Sequence, residues 1–199
     1  MKRISLSLVF CASLLIIGCK NDKKENDTEN AAETEMNSEM DNSMEKEEET
    51  KEITVSLEPK SGSDLGGEVT FTQEDGEVTM EATITGLAEG QHAIHIHQKA
   101  DCSAEDGTSA GGHWNPTNEK HGKWGDAEGY HKGDIGNFEV DANGEGTVSM
   151  TTDEWCIGCD DENKNIVGKA IIVHDGVDDY TSQPSGAAGT RVGCGVIKM

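Results

Sequence analysis

The chain has 199 residues and a formal net charge of −23, with 39 acidic against 16 basic side chains. That imbalance excludes nucleic acid and anionic lipid head groups as partners, since both repel a polyanion. Aromatic residues make up only 4% of the chain, so a core has to come from Val, Ile, Leu, Ala and Met, with a place for cross-links.

Lys2 and Arg3 precede the apolar run Ile4 to Ile17, too short for a permanent membrane helix but suited to a secretory signal. The run ends at Gly18-Cys19, which resembles the bacterial lipoprotein signal, although Ile16 stands where leucine is usual. That resemblance implies a signal peptide over 1–18 and a lipidated Cys19 as the membrane anchor. An ordinary cleaved signal with an unmodified Cys19 is the alternative, and both readings export the protein to the periplasm or cell exterior. Residues 19–52 are rich in Glu, Asp, Asn, Lys, Ser and Thr without apolar periodicity, the composition of a disordered tether. Met36, Met40 and Met44 recur within it, but with no histidine or cysteine beside them they read as part of a solvated spacer.

From Ile53 to Met199 the chain has the size of one domain and reads as short strands punctuated by glycine. Val78, Met80, Ala82 and Ile84 alternate with polar residues from Glu77 to Thr85, and Asp75-Gly76 before them is a turn signal. Further strands are expected over Ile53–Leu57, Gly67–Thr72, Gln91–His97, Ile135–Val140, Gly146–Thr151, Lys169–Val173 and Val192–Ile197. Eight strands without an amphipathic helix predict an all-β fold, a sandwich or barrel. Two long loops, Gln98 to Lys132 and Asp175 to Arg191, are too long to be mere connections.

All seven histidines fall between His92 and His174. On a strand, His95 and His97 project from one face, roughly 7 Å apart, with Ile94 and Ile96 on the other. Two imidazoles on a stiff strand form half of a metal site, and His113, His121, His131, Asp134 and His174 lie in or beside the long loops.

Across the domain the chain resembles copper/zinc superoxide dismutases. The motifs are Gly90-Gln91-His92-Ala93-Ile94-His95-Ile96-His97, Gly111-Gly112-His113-Trp114-Asn115-Pro116, Lys120-His121-Gly122, His131-Lys132-Gly133-Asp134-Ile135-Gly136-Asn137, Ile172-Val173-His174 and Gly189 to Ile197. The resemblance implies an eight-stranded antiparallel Greek-key sandwich, the architecture of that family. It also implies dismutation of superoxide to dioxygen and hydrogen peroxide. His95, His97, His113 and His174 would hold copper, and His113, His121, His131 and Asp134 zinc, with His113 bridging the two and supplying a proton. Asp178 would tie ligands of the two metals together, and Arg191 would attract and orient the anion.

Cysteines outside the signal and anchor number four: Cys102, Cys156, Cys159 and Cys194. The resemblance implies a Cys102–Cys194 disulfide. Cys156 and Cys159, after Trp155, depart from the family pattern and are open to a local disulfide, a redox or metal-handling site, or an intermolecular link. The stretch Ser103 to Gly107 is a further departure. A homodimer is compatible with the sequence, which does not mark the residues that would pair. The rival functions are a non-catalytic copper/zinc-binding or delivery protein of the same fold, and a tethered structural sandwich.

Overall fold

Alternation of apolar and polar residues decides the strands. The computed structural model describes residues 50–199. The signal-like residues 1–18, Cys19 and Met36, Met40 and Met44 lie outside the described residues. The strands are β1 (Lys51–Ser56), β2 (Glu58–Pro59), β3 (Gly66–Glu74), β4 (Glu77–Thr85), β5 (Gly90–His97), β6 (Gly136–Val140), β7 (Glu145–Thr152), β8 (Ala170–His174) and β9 (Arg191–Val196), with one 3-10 turn at Thr108–Ala110. β1 begins inside the stretch that composition assigns to the tether.

All strand pairs are antiparallel, in the order β1-β3-β4-β7-β6-β5-β8-β9-β2. β5, β6 and β7 pair in succession and β4 returns beside β7, a Greek key. In β4 the residues Val78, Met80, Ala82 and Ile84 are buried, as the alternation predicts, and face the barrel interior with Val69 and Phe71 of β3. Asp75 and Gly76 both have positive φ (50° and 83°), the backbone a two-residue hairpin turn requires.

Nine strands stand where the sequence predicts eight, because the first one is broken at Leu57. Before the break β1 pairs with β3, and after it β2 pairs with β9, so one stretch spans both edges and nearly closes the barrel. Pro59 lacks a backbone N–H and is tolerated because β2 pairs on one side only. Gly195 of β9 lets the two edges approach: a Cβ there would lie 2.6 Å from Val55 Cγ1 and 3.0 Å from Leu57 Cδ2.

β5 and β8 are buried on both faces, which positions the site. Ile94, Ile96, Ile171 and Val173 point into the main core, and His95, His97 and His174 are covered instead by the long loops. Ala170, Ile172 and Cys194 form a second small apolar cluster with Ala110 and Cys102 of the first loop. Burying a side chain such as isoleucine stabilises by about 1.5–3 kcal/mol, so both loops rest on sheet that is already rigid.

Candidate metal centre

Backbone pairing delivers the histidines. β5 and β8 pair Ile94 with Val173 and His95 with Ile172, which places His174 beside the end of the His-x-His pair. The chain at His113 runs antiparallel to the end of β5, bridging His97, with Trp114 N donating to Ile96 O at 2.8 Å. Ile96 N in turn donates to Gly133 O at 2.9 Å, which brings the loop segment carrying His131 and Asp134 to the same edge.

Two clusters of metal-ligand side chains result, His95/His97/His113/His174 and His113/His121/His131/Asp134, with ligand atoms in each within 4.8 Å of one another. His113 belongs to both. In the first cluster the inward nitrogens, His95 Nδ1, His97 Nε2, His113 Nε2 and His174 Nε2, are buried without a hydrogen-bond partner. Their opposite nitrogens are engaged: His95 Nε2 with Asp178 Oδ2 at 2.8 Å, His97 Nδ1 with Gly111 O at 2.9 Å, and His113 Nδ1 with Asp134 Oδ1 at 2.7 Å. His174 Nδ1 faces Gly189 O at 3.4 Å. An unsatisfied buried polar group costs about 1–3 kcal/mol, so four of them aimed at one point fit a cation.

In the second cluster, Nδ1 of His121 and of His131 lie 2.9 Å and 3.1 Å from Asp134 oxygens but off the direction of a hydrogen bond. Three imidazole nitrogens and a carboxylate around one point fit tetrahedral coordination. Asp178 links the clusters a second time, through His95 on one side and His121 Nε2 at 2.8 Å on the other.

Electrostatics separate the two clusters. Burial pushes His97 well below the ordinary histidine value, His113 to about 4 and His174 to about 3, against the pull of neighbouring acceptors. Those rings are neutral near pH 7, with lone pairs free. For His121 burial also opposes the charge, but the carboxylates of Asp134 and Asp178 outweigh it and raise the ring to about 9. Burial likewise opposes ionisation of Asp134 and Asp178, yet hydrogen bonds from the histidines hold both well below the usual carboxylate range.

Arg191 pairs with His174 at the start of β9, is half-buried, and donates from Nη1 to Gly107 O at 2.9 Å. That carbonyl belongs to the Ser103 to Gly107 departure. Asp106 beside it supports the charge of Arg191, against burial. The disulfides Cys102–Cys194 and Cys156–Cys159 both form, so the local pairing is the one the second pair adopts.

Several contributors are not apparent in the sequence. His92, the seventh histidine, joins neither cluster; its ring lies between Ala88 O (2.9 Å) and His174 O (3.2 Å). Asn137 and Asp178 exchange side-chain to backbone hydrogen bonds of 2.9 Å and 2.8 Å, and Gln183 does the same with the His121 backbone, both at 2.9 Å. Gly186, at φ 66°, lies against the Asp178 carboxylate, where a Cβ would also come within 2.6 Å of His121 Nε2. Apart from the Ala88 carbonyl, four residues from His92, each hydrogen-bond partner is more than 40 residues away, and Gly186 is marked only by its close approach, so no local sequence signal announces these contacts.

A nearly closed antiparallel barrel with two adjoining nitrogen-rich clusters sharing one histidine defines a β-barrel protein able to hold two metal ions side by side. The family model described as "Copper/zinc superoxide dismutase (SODC)" matches residues 65–197. An extracellular superoxide dismutase [Cu-Zn] of Caenorhabditis elegans is 33% identical over 144 residues, covering 69% of this chain but only 63% of the worm protein. Superoxide dismutase [Cu-Zn] 5 of Dictyostelium discoideum is 35% identical over 146 residues, 69% of this chain and 93% of that protein. Among solved structures, a double mutant of a SOD-like protein from Bacillus subtilis aligns with TM-score 0.65 at 33% identity, covering 73% of this chain and 97% of that one. The clock protein EA4 aligns with TM-score 0.63 at 34% identity, covering 73% and 92%. The chain belongs to the copper/zinc superoxide dismutase family, and its cofactors are copper and zinc.

Proposed function

We propose that the protein dismutates superoxide, with His95, His97, His113 and His174 holding copper and His113, His121, His131 and Asp134 holding zinc. The observation that carries this reading is the group of six buried ring nitrogens without partners, divided between two clusters that share His113. An all-nitrogen set suits copper, and three imidazoles with one carboxylate suit redox-silent zinc. When bound, copper supplies alternating one-electron oxidation and reduction of superoxide, giving dioxygen and, with two protons, hydrogen peroxide.

The residues do the rest. With Nδ1 turned to the Asp134 side, Nε2 of His113 is the atom that would hold copper and, when released from it, would take up a proton from water and pass it to the reduced substrate. Asp178 fixes the rings of His95 and His121 from behind, and the Gly111 carbonyl fixes His97. Arg191, held by Gly107 O, offers the permanent positive charge that draws in an anion. Residues 180–190 carry no charged side chain, so no second cation in that stretch assists it. At physiological salt the Debye length is about 8 Å, so distant acidic residues are screened while Arg191 is not. The work is antioxidant defence outside the cytoplasm, with Cys19 as a lipid anchor. A homodimer is part of this reading; among the described residues the exposed large hydrophobic ones are Val177 and Met199.

The likeness to a SOD-like protein and to the clock protein EA4 leaves one competing reading, a metal-binding module without turnover. Storage needs neither a shared histidine nor an anion guide. The purified protein is expected to hold copper and zinc in equal amounts and to consume superoxide; full metal loading without consumption would leave only the binding module. In the same assay Arg191→Ala should lower the rate about tenfold and flatten its dependence on ionic strength, with metal content unchanged. An unaltered rate would remove Arg191 from the site.

Metal loading has a proton signature. Because His121 is raised to about 9 in the metal-free chain, zinc uptake at pH 7–8 should release about one proton per ion. Copper uptake should release none from His97 or His174, whose values lie below neutral, whereas His113, which would offer a ring nitrogen to each metal, should give up its one N–H proton as the second metal loads. A pH-stat titration measures both, and a proton-silent zinc uptake would contradict the assignment. The sign for stability follows: the raised His121 stabilises the metal-free fold fully below the ordinary value of 6.5, and this is lost as pH rises through about 9.

A further inference from the structure

The segment between β7 and β8 grips the loop that carries His131. Glu154 accepts a hydrogen bond from Tyr130 Oη at 2.5 Å and pairs with Lys132 Nζ. Those two residues are the immediate chain neighbours of His131. Trp155, the next residue along from Glu154, donates from Nε1 to the Lys132 carbonyl at 2.8 Å. Trp155 is itself immobilised in the core, edge-on to Phe71 at 6.2 Å and to Trp124 at 5.5 Å, and Trp124 lies 5.0 Å from the Tyr130 ring.

Three contacts from two adjacent residues therefore hold the chain on both sides of His131, whose ring is buried and lies 3.1 Å from Asp134 Oδ1. The residues leading up to it, Gly125 to Glu128, are exposed. A ring carried by a loop reaches a metal in one orientation only if the backbone on either side is already fixed, because otherwise binding has to order it.

We propose that Glu154 is a positioning residue for the zinc side of the centre, acting through Tyr130 and Lys132 on His131. It rests on the assignment of His131 to zinc. The grip pre-orders the His131 ring during folding, so that zinc binds a finished site, and it has no part in the copper cluster.

Cobalt(II) in place of zinc reports tetrahedral coordination by its d–d absorption, and chelator competition gives the affinity for either ion. Glu154→Ala is expected to weaken cobalt and zinc about tenfold, in the range for residues that support a ligand from behind. The pair Tyr130→Phe with Lys132→Met should do the same, and adding Glu154→Ala to it should weaken binding no further. Lys132→Arg should restore wild-type affinity, and copper affinity should stay constant throughout. Near-ultraviolet circular dichroism of the metal-free chains checks folding, and the Tyr130/Lys132 pair decides the matter if Glu154→Ala does not fold. A wild-type chain without tetrahedral cobalt would sink the zinc assignment itself. Tetrahedral cobalt held equally tightly by wild type and Glu154→Ala, or a copper affinity that falls in step, would overturn the role of Glu154 and leave the assignment standing.

Discussion

Replacing His113 by alanine is expected to lower superoxide consumption by about 100-fold or more and to cost the protein its zinc, while copper stays on the other imidazoles. His113 is the only residue in both clusters, with Nε2 turned to one and Nδ1 2.7 Å from Asp134 Oδ1 in the other. The copper side keeps His95, His97 and His174, three nitrogens that suit copper without a fourth. The zinc side falls to two imidazoles and a carboxylate, and Asp134, with no exposure, loses one of the donors that keep it ionised. The rate loss comes from a different source: a positioned proton donor is worth roughly 10²–10⁴ in rate. Metal analysis together with pulse radiolysis separates the two effects. Equal copper and zinc with an undiminished rate in His113→Ala would show that the shared histidine is neither ligand nor proton donor.

The half of the centre that stands on strands was legible in the sequence, because strand alternation is a local rule. His95 and His97 lie on one face and Ile94 and Ile96 on the other, and β4 buries the four residues its pattern marks. The loop half was reached only through resemblance: nothing local to His121 or His131 says that they meet at Asp134. What stayed hidden was long-range. The break at Leu57 is set by where β3 and β9 lie, not by the residues around it, so the strand that closes the barrel reads as one piece. Gln183 looks like an ordinary loop residue until its amide is found spanning the His121 backbone 62 residues away. Glu154 looks like one more acid in a chain of net charge −23. Its partners are 24 and 22 residues away, and a charge count cannot tell a gripping carboxylate from a solvated one.

The two disulfides should differ sharply when removed. Cys102–Cys194 spans 92 residues and Cys156–Cys159 spans 3. In the chain-entropy picture the first restricts the unfolded chain by about 4–5 kcal/mol and the second by about 2 kcal/mol. Loss of the long bridge should therefore lower Tm by roughly 10–20 °C, at about 2–4 °C per kcal/mol for a chain of this size. The effect should extend to the site, because the loop it clamps presents Gly107 O to Arg191 and Gly111 O to His97. In Cys102→Ala/Cys194→Ala the rate should drop along with Tm, in the manner of Arg191→Ala. Cys156→Ser/Cys159→Ser should be milder, since backbone bonds from Cys156 to Lys164 and Ile166 and the buried side chains of Trp155, Ile157 and Ile166 hold that loop without the bridge. Calorimetry of metal-free and metallated chains measures the stability difference, and equal losses from the two pairs would mean that loop length does not govern it. A lowered Tm with the rate preserved would show instead that the second small apolar cluster, Ala110 with Ala170 and Ile172, is enough to keep the two carbonyls in place.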